Sequence, residues 1–193
     1  MEQNFWQRNK TLIIVLVVVL ILVFWVVGKY NFFVNQNEAI TGQWAQVENQ
    51  LQRRFDLIPN VINTVKGITQ QEKDVFSQLA EARTRYAGST TIDQKATAAG
   101  QVESSLARLL VIAENYPELK SSQSFRDLTV ELEGTENRIS VERMKYNDLV
   151  KSLNASVKRF PNSILASIFG VIERSYFEIT DEAGVVPKVD FSQ

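Results

Sequence analysis

The chain has 193 residues, a formal net charge of -1, and neither histidine nor cysteine. That length holds one membrane segment and one domain of ordinary size, and the missing side chains remove imidazole bases, thiolate nucleophiles, iron–sulfur clusters and the common zinc sites. No GxGxxG, GxxxxGK[ST] or D-x-D-x-D-G pattern occurs, and beyond Lys29 the balance is 18 basic against 21 acidic side chains, not the basic excess of a nucleic-acid-binding domain.

The first element is apolar. From Leu12 to Val27 the chain reads LIIVLVVVLILVFWVV, sixteen apolar residues without a break. With Thr11 and Gly28 the run covers roughly 27 Å as a helix, against a hydrocarbon layer about 30 Å thick. In lipid the backbone must satisfy its own hydrogen bonds, so the run is predicted to be helical despite its valines. Trp6, Trp25, Tyr30 and Phe32 flank or end it, where ring-bearing side chains favour the interface. A cleaved signal peptide fits less well, because the run is long and the bulky WVVGKYNFF that follows offers no A-x-A-like site. Residues 11–29 are therefore expected to be an uncleaved anchor. Arg8 and Lys10 precede it and only Lys29 follows closely. The positive-inside rule then puts residues 1–10 in the cytoplasm and the rest outside it.

Beyond Lys29 the apolar residues recur at helical spacing. Ile40, Trp44, Val47, Leu51, Phe55 and Ile58 form one stripe; Val61, Val65, Ile68, Val75, Leu79 and Tyr86 a second. Ile92, Ala99, Val102, Leu106, Leu109, Ala113 and Tyr116 form a third, and Phe125, Leu128, Leu132, Ile139, Tyr146, Leu149, Leu153, Val157 and Phe160 a fourth. Such stripes mark amphipathic helices packed on one another. Helices are expected near 30–56, 58–87, 92–115 and 119–159. Pro59 and Pro117 suit first turns, Gly88 a helix end, and Thr91 with Gln94 a capping box. Serines 121, 122 and 124 offer N-caps for the fourth helix. The fold class is all-α: an N-terminal transmembrane helix, then an elongated antiparallel four-helix bundle over 30–160. A short helical extension, 161–175, and an extended tail, 176–193, follow. With no proline or glycine beyond Gly28 at the junction, the anchor either runs straight into the first bundle helix or bends at 28–37.

The polar clusters have bland readings. In RRFDLIPNVINTVKG, 53–67, Pro59 either starts the second helix, with Asp56 as a cap or dipole partner, or kinks one longer helix. Of Arg53 and Arg54, one is expected to be a solvated face charge and the other to pair with Glu136 or Glu142; the sharper alternative is an anion or lipid-headgroup site. In TENRISVERMKYN, 135–147, the carboxylates come with arginine and asparagine, so a polar network that fixes helix register explains them better than acid–base catalysis. A Glu-x-x-His bundle metal site is excluded by the lack of histidine. In the acidic tail, Val185, Val186, Val189 and Phe191 surround Pro187. They either fold back on the bundle or form a candidate partner-binding peptide.

Taken in order, WAQVENQLQRRFDLIPNVINTVKG, AENYPELKSSQSFRDL, TENRISVERMKYNDLV, FPNSILASIFG and YFEITDEAGVVPKVDF resemble the LemA family, from about Tyr30 to Phe191. The resemblance implies a bromodomain-like four-helix bundle on a single anchor in a bacterial cell membrane, with no enzyme activity and no cofactor. Its motif positions fall here on Trp44, Arg53, Arg54, Asp56, Pro59, Lys66, Gly67, Asn115, Tyr116, Pro117, Glu118, Glu136, Asn137, Arg143, Tyr146 and Asn147. These read as corners, caps and register contacts. Where a common family motif has histidine, this chain has Gln71. The family includes members linked to magnetosome membranes and others encoded beside membrane metalloproteases. The expected role is a non-enzymatic, membrane-anchored scaffold or adaptor. Its expected partners are the lipid bilayer and a second copy or another membrane protein, a membrane metalloprotease among them; nucleic acid is not one. The alternative is a membrane-remodelling protein that oligomerises on one leaflet, for which Phe32 and Phe33 would supply apolar surface. A carboxylate-only hydrolase is the remote third.

Overall fold

The computed structural model describes residues 3–65 and 73–178, with side chains described for 9–65 and 74–178. All its regular structure is helical: α1 Gln3–Thr64, α2 Lys73–Gly88, α3 Ile92–Ala113, α4 Pro117–Ser121, α5 Gln123–Lys158 and α6 Asn162–Phe169. The chain divides into two compact units, Met1–Gly42 with Asp148–Arg174, and Gln43–Asn147 with Ser175–Gln193.

α1 carries the apolar run, and it is long and apolar enough to cross a membrane. Its side chains from Leu12 to Val23 are all exposed, as a segment built to face lipid requires. No break falls at 28–37, where the first body helix continues the same helix.

Pro59 lies inside α1 rather than at the start of a second helix. An interior proline forfeits one backbone hydrogen bond and crowds the preceding turn. The helix nonetheless continues, because Leu57, Ile58 and Val61 are buried on both sides of it. Extending the apolar stripe offsets the local cost. Asp56 is accordingly a mid-helix residue, accepting from Gln52 Nε2 at 2.9 Å one turn earlier. The expected 58–87 helix is replaced by the last turns of α1 and by α2. Lys66, Gly67 and Gln71 lie outside the described residues, as do Val185, Val186, Val189 and Phe191.

In the second unit, Phe55 of α1 meets Tyr86 of α2 with ring centroids 4.2 Å apart. α2 ends at Gly88 and turns into α3, whose start carries the Thr91–Gln94 capping box in both directions. Buried Leu79 and Ala82 on α2, with Ala96, Ala99, Val102, Leu106 and Leu109 on α3, belong to the core. Pro117 begins a separate short helix, α4, with Tyr116 at the N-cap position and no side-chain capping bond. α5 then starts at Gln123, and Arg126 N–H donates to the Ser122 carbonyl. Phe125, Leu128, Leu132, Ile139 and Tyr146 on α5 are buried.

In the first unit, buried Val150 and Leu153 on α5 and Leu165 and Ala166 on α6 belong to the core with Phe33 and Ile40 of α1. α6 ends at Gly170, whose φ of 67° is left-handed, and Val171 N–H reaches back to Ala166 C=O at 2.9 Å. Glycine suits that stop, since only it enters the left-handed region without a Cβ penalty. Phe160, expected as the end of the fourth apolar stripe, is instead 81% exposed. α5 ends two residues before it, so the helical period no longer governs where Phe160 points.

Candidate functional site

Residues 171–178 form no helix or strand. An extended segment outside a sheet has backbone N–H and C=O groups to satisfy. Here two asparagines of α5 do that work, once in each unit. In the first unit Asn154 Oδ1 accepts from Arg174 N–H at 2.9 Å, and Asn154 Nδ2 donates to Arg174 C=O at 2.9 Å. In the second, Asn147 Oδ1 accepts from Phe177 N–H at 2.9 Å, and its Nδ2 donates to Phe177 C=O at 3.1 Å. A carboxamide presents a donor and an acceptor side by side, so each replaces the strand that would otherwise flank the segment. Tyr146 adds an O–H donated to Ser175 C=O at 2.9 Å.

The side chain between these bonds is fully buried. Phe177 is 0% exposed, with its ring centroid 5.4 Å from that of Trp44, which in turn lies 5.4 Å from Tyr146. Lys95 Nζ stands 5.8 Å over the Trp44 ring and 5.9 Å over Tyr86, and pairs with Glu48. Burial, with Glu48 nearby, pushes the Tyr86 phenol up to about 12. In the first unit the Arg174 guanidinium donates to Asn37 Oδ1 at 3.1 and 3.2 Å.

The expected arginine contacts resolve unequally. The Arg54 side chain is 7% exposed and donates through Nη1 to Glu136 Oε2. Arg53 faces solvent, its Nη2 3.8 Å from Glu131 Oε1. Glu142 joins neither arginine. It accepts from Gln43 Nε2 at 2.6 Å and from Lys145 Nζ at 2.9 Å, and the bonds from Lys145 and Gln43 hold its carboxyl below the usual range. Asn115, Glu118 and Asn137 are exposed, Arg143 is half-buried, and Pro117 opens α4.

Of the positions singled out from sequence, the structure thus gathers Trp44, Tyr146 and Asn147 around Phe177, and joins Arg54 to Glu136. Asn154, Phe177, Lys95 and Glu48 were not anticipated. The available signal was the seven-residue spacing of Asn147 and Asn154, two turns apart on one helix face. Chemically the arrangement holds an extended backbone in place. Among the described residues no three carboxylates converge as a metal-binding group.

The model of the LemA family matches residues 43–191. That span covers most of the chain and includes both Arg54–Glu136 and the Phe177 contacts. The chain belongs to the LemA family. Among curated proteins this LemA-family chain is similar to magnetosome protein MamQ 2 of Paramagnetospirillum magneticum, 26% identical over 78% of this chain and 65% of the relative. Magnetosome protein MamQ of Magnetospirillum gryphiswaldense is also 26% identical, over 77% of this chain and 64% of its own length. The chain therefore spans about two thirds of the length of these relatives.

Proposed function

We propose that the protein is a non-enzymatic, membrane-anchored interaction protein, a scaffold or adaptor held by α1 in a bacterial cell membrane with its N-terminus in the cytoplasm. The observation that supports this most is the use made of the polar side chains. Arg54, Tyr146, Asn147 and Asn154 bond to other parts of the same chain. Arg54 pairs with Glu136, and the other three hold the backbone of Arg174, Ser175 and Phe177, after which the sequence carries Val185, Val186, Val189 and Phe191. A short apolar sequence that follows such an attachment suits recognition by a partner better than catalysis. The pairwise contacts of α1 with α2, α3 and α5 in the second unit favour the four-helix bundle that the sequence stripes suggest.

The test is the assembled mass of the detergent-solubilised protein together with the proteins that co-purify with it. A stoichiometric second membrane protein, lost on deleting 185–193, supports the adaptor role. A large assembly of this chain alone supports the scaffold. A bare monomer contradicts both. The second reading is a membrane-remodelling assembly on one leaflet, favoured by the exposed apolar residues around α6. It predicts that vesicle shape changes persist after the tail is removed.

A further inference from the structure

Among the described residues beyond α1, one group of large exposed apolar side chains lies close together in sequence. Val111 and Val130 are exposed singly and Val141 with Met144 as a pair on α5, whereas Phe160, Ile164, Ile168 and Ile172, four large apolar residues, fall within thirteen residues of one another. Isolated exposed apolar residues are ordinary, but a contiguous group marks a contact surface. Ile164 and Ile168 are 54% and 69% exposed, and one turn apart they share a face of α6. Phe160 precedes the helix and Ile172, 74% exposed, follows it. Leu165 and Ala166, next to that face, are buried.

The place of α6 in its own unit says what covers that face. Phe169, at its end, packs edge-on against Tyr30 of α1, ring centroids 5.2 Å apart. Tyr30 stands three residues beyond Val27, the last of the unbroken apolar run, a rise of about 4.5 Å. A cleft lined by Tyr30, Phe33, Val34, Phe169, Val171 and Ile172 continues the contact. The apolar face therefore begins where α1 leaves the apolar layer. Charge agrees: Lys29 lies next to Tyr30, Lys158 and Arg159 next to Phe160, and Arg174 two residues beyond Ile172. Lys158 pairs with Glu173 at 2.7 Å, and Glu38 lies in the cleft. An apolar face flanked by basic residues is the pattern of a segment lying in a headgroup boundary. Eight residues would bind a membrane weakly alone, but α1 already holds them at its surface, so the second contact is intramolecular.

We infer that Phe160, Ile164, Ile168 and Ile172 form a second membrane contact, seated in the headgroup–acyl boundary of the leaflet at which α1 emerges. The inference rests on the reading of α1 as a membrane span. The absence of cysteine from the chain permits single nitroxide labels without background. L20C, I168C, F160C and, as an exposed reference, M144C would be labelled in the full chain. Each would be placed in vesicles of phosphatidylethanolamine and phosphatidylglycerol and probed for collision with oxygen and with a water-soluble nickel chelate. The expected result is an oxygen-to-nickel collision ratio at 20, 168 and 160 several-fold above that at 144. A high ratio at 20 with ratios at 168 and 160 equal to that at 144 overturns the membrane contact while leaving the anchor. Labels at 168 and 160 shielded from both probes would mean a protein partner, such as a second copy, and would overturn it as well. A low ratio at 20 removes the anchor itself, and the inference with it. F160C sits outside α6 and tests the face even where I168C disturbs the helix.

Discussion

α5 makes its most specific contacts in two chemical styles. Near its middle Glu136 faces the nearly buried Arg54 as a charge pair. Toward its end Asn147 and Asn154 offer neutral carboxamides to the backbone of residues 177 and 174. A buried charge pair brings a large desolvation cost that its attraction only partly returns, so it selects a register more than it adds stability. A carboxamide costs less to bury, and it satisfies two backbone groups at once. Charge thus ties α1 to α5 at Arg54–Glu136, whereas residues 174 and 177 are attached by neutral polar groups. Residues 174 and 177 are therefore attached by bonds whose individual loss is expected to be local, although the Phe177 ring itself is fully buried.

The largest effect is expected where the charge pair is broken from one side. R54A leaves Glu136 without its partner and should lower stability by about 3 kcal/mol, the lower end of the range for a broken buried pair because the Glu136 side chain is 33% exposed, read from thermal unfolding of the solubilised protein. Replacing both partners, as R54M with E136M, should recover most of that loss. If the double variant is as unstable as R54A, the pair contributes net stability, and the contrast with the asparagines weakens.

A smaller and local effect is expected from N147A. It strands the Phe177 N–H and C=O, a cost of about 1–3 kcal/mol. The loss should appear as faster amide exchange at 175–178, with little change in the unfolding of α3. A global fall in stability equal to that of R54A would mean that the segment is integral to the core. N147D should be at least as damaging, since it retains an acceptor for Phe177 N–H but turns a carboxylate toward Phe177 C=O.

The smallest effect lies at high pH. Tyr86 is raised to about 12, burial being the main cause and Glu48 the second. The neutral phenol is favoured in the folded state, so this contribution is complete below the ordinary tyrosine value near 10 and is lost as pH rises toward 12. Y86F should therefore flatten the decline in stability between about pH 10 and 12. An unchanged decline would assign it to other groups and leave the Lys95–Glu48 neighbourhood out of the comparison.

What could be seen in the sequence was what is local. The Thr91–Gln94 box and the glycine at 88 act within one turn, and both stand where the sequence puts them. The all-helical class followed from apolar spacing, because Val47, Leu51, Phe55 and Ile58 had one helical face to share. Pro59 lies within one longer helix, the second of its two readings rather than the helix start, because its cost is local whereas the burial of Leu57, Ile58 and Val61 that overrides it depends on tertiary packing. Ser122, one of the N-cap candidates, does precede α5, whereas the exposure of Phe160 escaped for a related reason: the apolar period runs on past the point where the helix stops. The carboxamide bonds were the least legible. Asn147 and Asn154 bind backbone 20 to 30 residues away, and backbone leaves no letter in the sequence to pair with an asparagine.

The most direct measurement of the mooring is residue-resolved amide hydrogen exchange of the full chain in a lipid bilayer, read at Phe177. The expected result is a Phe177 amide protected well beyond its intrinsic rate in the native protein and released by N147A, while the amides of α3 keep their protection. A Phe177 amide that exchanges in the native protein as fast as in an unfolded chain would contradict it.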